Sequence, residues 1–186
     1  MPPKHKYSKE QIVDAAFEIA CKEGVSGLTI RKIADRLGSS VAPVYVNFAD
    51  AEELRRAVVA RTARASMEIL AETHTGEPLR DIGVASLRMA SEYSVLVRDL
   101  MFSQNGYLEL YSEMADPGIV ERMSRDPILE GRSEREIHTL LLKLRIVQIG
   151  MSVAVANGVL PVGYSETDSI ALQDELMRDV IAGADG

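Results

Sequence analysis

The side chains best suited to bind phosphate lie in the first third of the chain. Residues 1–64 contain 11 Lys and Arg against 8 Asp and Glu, whereas residues 65–186 contain 10 against 20. Lysine and arginine attract the phosphates of nucleic acids, and an excess of acids repels them. The net charge of −7 therefore conceals a basic segment that can approach a phosphate backbone, beginning with Lys4 and Lys6 in the N-terminal arm.

Residue patterns typical of catalysis and metal binding are missing from the sequence. It has no Gly-rich phosphate loop, nucleophile elbow, His-Glu-x-x-His motif or paired carboxylates, so we expect neither an enzyme nor a cofactor. The single Cys21 cannot form an internal disulfide, and no Cys/His spacing resembles a metal site. His138, in a leucine-rich segment, is either a core or interface residue or a ligand contact.

Length and composition indicate a folded protein. Of the 186 residues, 46% are hydrophobic and 26% are charged, as in ordinary globular domains. The N-terminus lacks the apolar region of a signal peptide, and no apolar run approaches the length of a membrane span. We therefore expect a cytoplasmic protein without a membrane partner.

A helix-turn-helix pattern is predicted near the start of the chain. Ser8-Lys9-Glu10-Gln11 is a capping box that opens a first helix, and Gly24 ends that helix. Thr29 can cap a second, short helix over residues 30–37, which Gly38 ends.

A third short helix is predicted over about residues 41–47. Ser40 can act as its N-cap, and Pro43 falls in its first turn, where the missing N–H costs nothing. Two short helices joined by a tight turn that contains glycine are the helix-turn-helix pattern.

The rest of the chain is also predicted to be helical. Residues 50–75 contain no Gly or Pro, which predicts a connector helix roughly 35 Å long. No segment shows the sustained alternation of a strand. The predicted fold class is all-α, with about nine helices: a three-helix N-terminal domain over 1–49, the connector over 50–75, and a second helical domain over 76–186.

Two strong helices are predicted near the end of the chain. A Ser133-x-x-Glu136 capping box opens a helix that runs to Ala156, and Ser165 caps a helix over residues 166–182. The first of these is apolar around most of its circumference, so we expect its own domain and a partner chain to cover it from different sides.

The last helix carries two apolar stripes. Leu172, Leu176 and Val180 can pack on the preceding helix and leave Ile170, Met177 and Ile181 for another contact. Two such helix pairs related by a two-fold axis close a four-helix bundle, which predicts a homodimer. The predicted interface residues are Leu140, Leu144, Val147, Met151, Leu176, Met177 and Val180.

Several short segments of the first third match a known pattern in order and without a gap over about 47 residues. They are Ile12-Val13-Asp14-Ala15-Ala16, Gly24, Leu28-Thr29-Ile30-Arg31-Lys32-Ile33-Ala34, Gly38-x-Ser40, Val44-Tyr45-x-x-Phe48 and Glu52-Glu53-Leu54. This region resembles the DNA-binding domain of the TetR family of transcriptional regulators. The resemblance implies a homodimer that places two recognition helices in successive major grooves of double-stranded DNA, represses a promoter, and is released by a small molecule bound to the second domain.

The resemblance also implies individual roles. Ser40 would cap the recognition helix, Thr29 and Tyr45 would contact phosphates, and Phe48 would anchor the helix end in the core. Val41, Ala42, Pro43 and Val46 would face the groove. The complete set of DNA-binding candidates is Lys4, Lys6, Thr29, Arg31, Ser40, Val41, Ala42, Pro43, Tyr45, Val46 and Asn47.

The chain departs from the family pattern at the recognition helix and just after it. Asn47 stands where members commonly have histidine, and residues 49–51 lack the lysine that members tend to have there. The groove-facing positions carry no Arg, Lys, Gln or Glu and offer only apolar contacts. Phosphate attraction must then come from Lys4, Lys6, Lys9, Arg31, Lys32 and Arg36. The alternative is a helical ligand- or partner-binding dimer whose helix-turn-helix no longer binds DNA.

Methionine and aromatic residues gather in the middle of the chain. Methionine is flexible and suits adaptable apolar pockets as well as ordinary cores. Since the family resemblance implies an effector pocket, we expect a small apolar or aromatic molecule there. The candidate contacts are Met89, Tyr93, Met101, Phe102, Tyr107, Tyr111, Met114 and His138.

Overall fold

The computed structural model describes residues 7–103 and 106–184, with only the backbone at residue 116, and all regular structure in these ranges is helical. The helices are α1 (Lys9–Glu23), α2 (Ile30–Arg36), α3 (Ala42–Asn47), α4 (Ala51–Glu72), α5 (Pro78–Glu92), α6 (Ser94–Phe102), α7 (Tyr107–Met123), α8 (Glu134–Asn157) and α9 (Glu166–Ala182), with a 3-10 turn over Pro127–Leu129. The predicted all-α fold class is confirmed. Lys4 and Lys6 lie outside the described residues.

The predicted helix starts are present as capping boxes. In α1, the Ser8 hydroxyl accepts from the Gln11 N–H at 3.2 Å, and the Gln11 side chain accepts from the Ser8 N–H at 2.9 Å. Ser133 and Ser165 form the same reciprocal bonds at the starts of α8 and α9. Each box satisfies two backbone N–H groups that the helix cannot pair internally.

The chain divides into two compact units. The first contains the residues up to 65 together with 95–115, and the second contains 66–94 and the residues from 116 onward. Residues 95–115 therefore pack with the N-terminal helices. The sequence analysis had placed them in the C-terminal domain, residues 76–186. The functions that the sequence analysis expects of the N-terminal and C-terminal domains remain predictions.

The first unit is built around α1, α2 and α3. Ile12, Ile33 and Val44 are completely buried, and Phe48, directly after α3, is 1% exposed. The predicted anchoring role of Phe48 is therefore confirmed. Residues from α6 join this unit through Asp99, whose carboxylate accepts from the Ser26 N–H at 3.0 Å.

The second unit is built around α5, α8 and α9. Its core joins Leu79 of α5, Leu140 and Leu144 of α8, and Met177 of α9. Arg80 of α5 makes a two-pronged salt bridge to Asp174 of α9, with nitrogen–oxygen distances of 2.9–3.1 Å. Hydrophobic burial and this paired contact together hold α9 against α5.

The stripes of α9 are arranged differently from our prediction. Ser169, Gln173 and Met177 form the buried side, whereas Leu176 is 36% exposed. The reason lies at Gly83 of α5, where a Cβ atom would collide with the amide of Gln173. The missing side chain lets α9 approach α5 closely along the Gln173 side, which turns Leu176 outward.

Within the described ranges, α8 alone is long and apolar enough to cross a membrane by length and composition. Core helices pass the same test, and α8 places Leu140 and Leu144 in the core described above.

Candidate nucleic-acid interface

The turn between α2 and α3 is tight and begins at glycine. Thr29 caps α2 by accepting from the Lys32 N–H at 3.3 Å, as predicted. Gly38 follows α2 with φ of 61°, a left-handed conformation that favours glycine. The Ser39 N–H then returns to the Ala34 carbonyl at 3.0 Å. These bonds fix the direction in which the chain enters α3.

Ser40 does not cap α3, so this part of the prediction is wrong. The N-cap position is Val41, which has helical backbone angles (φ −68°, ψ −18°) and no side-chain capping bond. The Val41 carbonyl accepts from the N–H groups of Val44 and Tyr45, so the helix begins one residue later than the Ser40 cap requires. The Ser40 side chain is exposed instead.

The outer side of α3 is an apolar surface, which we call the α3 face and define as Val41, Tyr45 and Val46. Their side chains are 40%, 56% and 62% exposed. The opposite side of the helix carries Val44, which is completely buried. Burial of one side fixes the α3 face toward the outside of the unit.

Asn47 points back into its own domain. It is half-buried, and its amide nitrogen donates to the Pro43 carbonyl at 2.9 Å and, at 3.5 Å, to the Tyr7 carbonyl. The Tyr7 hydroxyl in turn donates to the Leu37 carbonyl at 2.6 Å. Asn47 and Tyr7 thus join the start of α1 to the recognition region. Sequence reasoning missed Tyr7, whose only local signal is an aromatic residue directly before a capping box.

Three of the basic side chains near α3 are already paired. Lys32 contacts Glu23 at 2.5 Å, Lys9 contacts Glu53 at 2.8 Å, and Arg36 contacts Glu18. Exposed ion pairs of this kind contribute only about 0–1 kcal/mol each, so a phosphate can replace the carboxylate. Arg31 is exposed and takes part in no salt bridge among the described side chains.

The residues that replace the family's lysine near positions 49–51 cap α4. The Asp50 carboxylate accepts from the Glu53 N–H at 2.8 Å, and the Glu53 carboxylate accepts from the Ala49 N–H at 2.8 Å. Hydrogen bonds from the Lys9 ammonium and from the Ala49 N–H lower the pKa of Glu53. This segment therefore holds the helix start instead of offering a cation to DNA.

The eight residues predicted to bind an effector are divided between the two units. Met89, Tyr93 and His138 belong to the second, and the others belong to the first. Tyr107 is 7% exposed, and its hydroxyl donates to the Glu52 carboxylate at 2.8 Å. Burial and this bond raise the pKa of Tyr107 to about 12. His138 is exposed rather than part of the core of this single chain.

A cleft of about 420 Å³ lies in the second unit. Leu79, Ile128 and Met177 give it an apolar lining, and the Arg80–Asp174 salt bridge gives it a polar one. Its remaining lining residues are Glu77, Asp126, Arg178 and Ile181. None of the predicted effector residues lines this cleft. The lining residues lie up to about a hundred positions apart in the chain, so no local sequence pattern could have predicted them.

The predicted dimer residues are mostly core residues of the single chain. Leu140, Leu144, Met151 and Met177 are at most 9% exposed, so they leave almost no surface for a second copy. Val147 and Val180 are half-buried, and Leu176 is exposed. Among the described residues of α8, the exposed large apolar side chains are Leu142, Ile146 and Ile149, which were not among the predicted interface residues.

No three His, Cys, Asp or Glu side chains among those that the structure describes are placed to hold a metal ion. Cys21 is half-buried, and burial together with the nearby Glu18 carboxylate raises the pKa of its thiol.

Comparison with known proteins agrees with this geometry. Residues 12–58 match the family model for bacterial regulatory proteins of the TetR family. The chain is 24% identical over 179 residues to the HTH-type transcriptional repressor AcnR of Corynebacterium diphtheriae, covering 93% of this chain and 90% of the relative.

Solved structures share the fold along nearly the whole chain. A transcriptional regulator from Rhodococcus matches with a TM-score of 0.72 at 19% identity, over 97% of this chain and 99% of that one. A transcriptional regulator from Saccharomonospora viridis in complex with choline matches with a TM-score of 0.67 at 16% identity, over 91% and 95%.

The helix-turn-helix with its exposed second helix defines a transcriptional regulator of the helix-turn-helix class. Its N-terminal segment, residues 12–58, is similar to that of TetR-family regulators, as the resemblance implied.

Proposed function

We propose that this protein is a homodimeric, ligand-responsive repressor that binds a two-fold symmetric DNA operator and leaves it when a small molecule binds. The observation that carries the proposal is the α3 face, which stands exposed on a rigidly buried three-helix unit within the segment that matches the family model. A repressor among the relatives supports the direction of regulation.

DNA contacts are proposed to come from α2 and α3. Val41 and Val46 of the α3 face enter the major groove with Ala42 and Pro43, while Tyr45, Arg31 and the Thr29 end of α2 lie along the phosphates. The exposed position of Arg31 and the exchangeable pairs of Lys32 and Arg36 support this arrangement. Lys4 and Lys6 of the arm are proposed to add phosphate contacts.

Dimerisation is proposed to use the outer side of α8, which we call the α8 face and define as Leu142, Ile146 and Ile149. These residues recur at intervals of four and three, which puts them on one side of the helix. Leu176 of α9 is exposed as well. A second copy related by a two-fold axis would remove this apolar surface from water, and it would place two recognition helices for a symmetric operator.

The effector is proposed to be a small molecule with apolar or aromatic character. A relative of the same fold was solved with choline, which supports a small organic ligand. The 420 Å³ cleft is within the size range of ligand pockets and is a second candidate beside the predicted residues around Met89 and Tyr93. Release requires that the ligand favour the conformation that does not bind DNA.

A mobility-shift titration tests the proposal directly. The full chain is mixed with the DNA that flanks its own gene and, in parallel, with a scrambled duplex of equal length and composition. We expect specific retention that weakens steeply as salt rises, because bound phosphates release counterions. Equal binding to both duplexes, or none, would instead favour the alternative of a partner-binding dimer, for which the largely apolar α3 face is the supporting observation.

A further inference from the structure

The α3 face has almost no hydrogen-bonding capacity. Val41 and Val46 are apolar, Pro43 has no side-chain donor or acceptor, and the amide nitrogen of Asn47 is engaged with backbone carbonyls of its own domain. The hydroxyl of Tyr45 is the remaining polar group of the face. Bidentate reading of guanine or adenine needs arginine, lysine, asparagine or glutamine aimed at the base edge, and the face supplies none of these.

One group in the major groove matches such a surface. The edge of thymine carries a C5-methyl group, and the other base edges present donors and acceptors. A C5-methyl group on cytosine would project into the groove at the same position of the pyrimidine ring. The cations of α2 beside this apolar surface favour a polyanion such as DNA as its occupant.

We propose that Val41 and Val46 are the specificity-determining residues of this protein and that they recognise C5-methylpyrimidines in the operator. Thymine and 5-methylcytosine then supply the same methyl contact at these positions, and uracil and cytosine, which lack it, bind more weakly. The inference rests on the proposed function, since it requires α3 to lie in the major groove.

The experiment begins with the duplex that the full-length protein selects from a random-sequence library. Each thymine of one half-site is then replaced by deoxyuridine, which removes only the methyl group. We expect about a fourfold loss of affinity at each contacted position, the effect of removing one buried carbon from an apolar contact. In a second series the same T·A pair becomes C·G or 5-methyl-C·G, and we expect the methylated pair to bind about fourfold more tightly than the unmethylated one.

Substitutions in the protein assign the effect to a side chain. Val46→Ala and Val41→Ala should each bring the thymine-to-uracil affinity ratio close to one at the position that the residue contacts. Val120→Ala is the matched control, because Val120 of α7 is 61% exposed against 62% for Val46. The ratio is measured within one variant, so a change in the active fraction does not alter it. Val46→Thr, which keeps the shape of the side chain and one methyl group, should lower the ratio only in part.

The outcomes separate this inference from the proposed function. If no duplex is selected, both are overturned. A selected duplex that binds equally well with thymine and uracil, and with cytosine and 5-methylcytosine, overturns the methyl recognition alone. A methyl effect that survives in both valine variants overturns the assignment to Val41 and Val46.

Discussion

Helices α3 and α8 each expose a row of apolar side chains, and they do so in opposite electrostatic settings. The α3 face lies on a six-residue helix in the part of the chain where basic residues outnumber acidic ones, whereas the α8 face lies on a 24-residue helix in the part where acids dominate two to one. Exposure alone does not distinguish the two faces, since Val46 is 62% and Ile146 is 63% exposed.

The difference in charge and length indicates different partners. A short apolar face beside cations suits a groove between phosphates, where electrostatic attraction supplies affinity and the apolar contacts supply selectivity. A long apolar face within an acidic domain repels DNA, and a second copy of itself offers complementary apolar area. Substitutions that act on one face and spare the other therefore test both assignments together.

The largest expected effect comes from a charge on the α8 face. Ile146→Glu should raise the dissociation constant of the homodimer on the order of a thousandfold, since the two-fold axis repeats a substitution that costs about 2 kcal/mol or more in each copy. Sedimentation velocity at micromolar concentration should show a monomer, and binding to a symmetric operator should be lost with it.

Val120→Glu provides the control for Ile146→Glu. Val120 is similarly exposed on α7, and the charge there should leave the dimer intact. If Ile146→Glu remains a dimer while circular dichroism reports normal helix content, the α8 face is not the interface.

Shortening a buried residue on the opposite side of α8 should act on folding instead. Leu144 is 2% exposed and packs in the core with Leu79 and Met177, so Leu144→Ala should lower the free energy of unfolding by about 2–5 kcal/mol. Leu142→Ala, two residues away on the exposed side, should change monomer stability by less than about 1 kcal/mol. Urea unfolding at a concentration that keeps both variants monomeric measures the difference, and equal losses would contradict the assignment of the two sides.

Local patterns predicted most of the secondary structure. The capping boxes at Ser8, Ser133 and Ser165 marked helix starts correctly, because a cap depends only on residues three apart in the chain. The Ser40 cap failed because Val41 adopts helical angles and itself takes the N-cap position, without a side-chain capping bond.

Long-range geometry was beyond sequence reasoning. The long helix α8 was correctly expected to be apolar on more than one side, yet which side is buried depends on the approach of α9 to α5 at Gly83 and on the Arg80–Asp174 pair. Both contacts join residues about ninety positions apart. The orientation of Asn47 likewise depends on Tyr7, forty residues earlier.

Acid should destabilise the second unit, which contains a buried carboxylate paired with an arginine. Asp81 is 4% exposed and bonds Arg122 at 2.6 Å and the Thr75 N–H at 2.6 Å. Burial raises the pKa of Asp81, but the bonds from Arg122 and Thr75 outweigh it and the net pKa is lowered. Its stabilisation is therefore complete above the ordinary aspartate pKa of about 4 and is lost as the pH falls through the lowered value.

Asp81→Asn tests this contribution. The variant should lose about 1–3 kcal/mol of unfolding free energy at pH 7 and should show a weaker dependence of stability on pH below about 4. Chemical unfolding followed by circular dichroism from pH 7 to pH 3 gives both quantities. A variant that keeps the slope of the parent protein would show that Asp81 is not the group responsible.

The smallest expected effect concerns the hydroxyl at the edge of the α3 face. Tyr45 is 56% exposed, and the proposed contact from its hydroxyl to a phosphate carries no base information. Tyr45→Phe removes only that hydroxyl, so operator affinity should fall about three- to tenfold, the net worth of one typical hydrogen bond at an exposed site. The loss should be the same for every operator variant, whereas Val46→Ala should affect only duplexes that differ at a contacted pyrimidine.

Fluorescence anisotropy with a panel of single-base operator variants measures both patterns. A loss for Tyr45→Phe that is confined to particular base pairs would make Tyr45 a base reader and would place a hydrogen-bonding group within the α3 face.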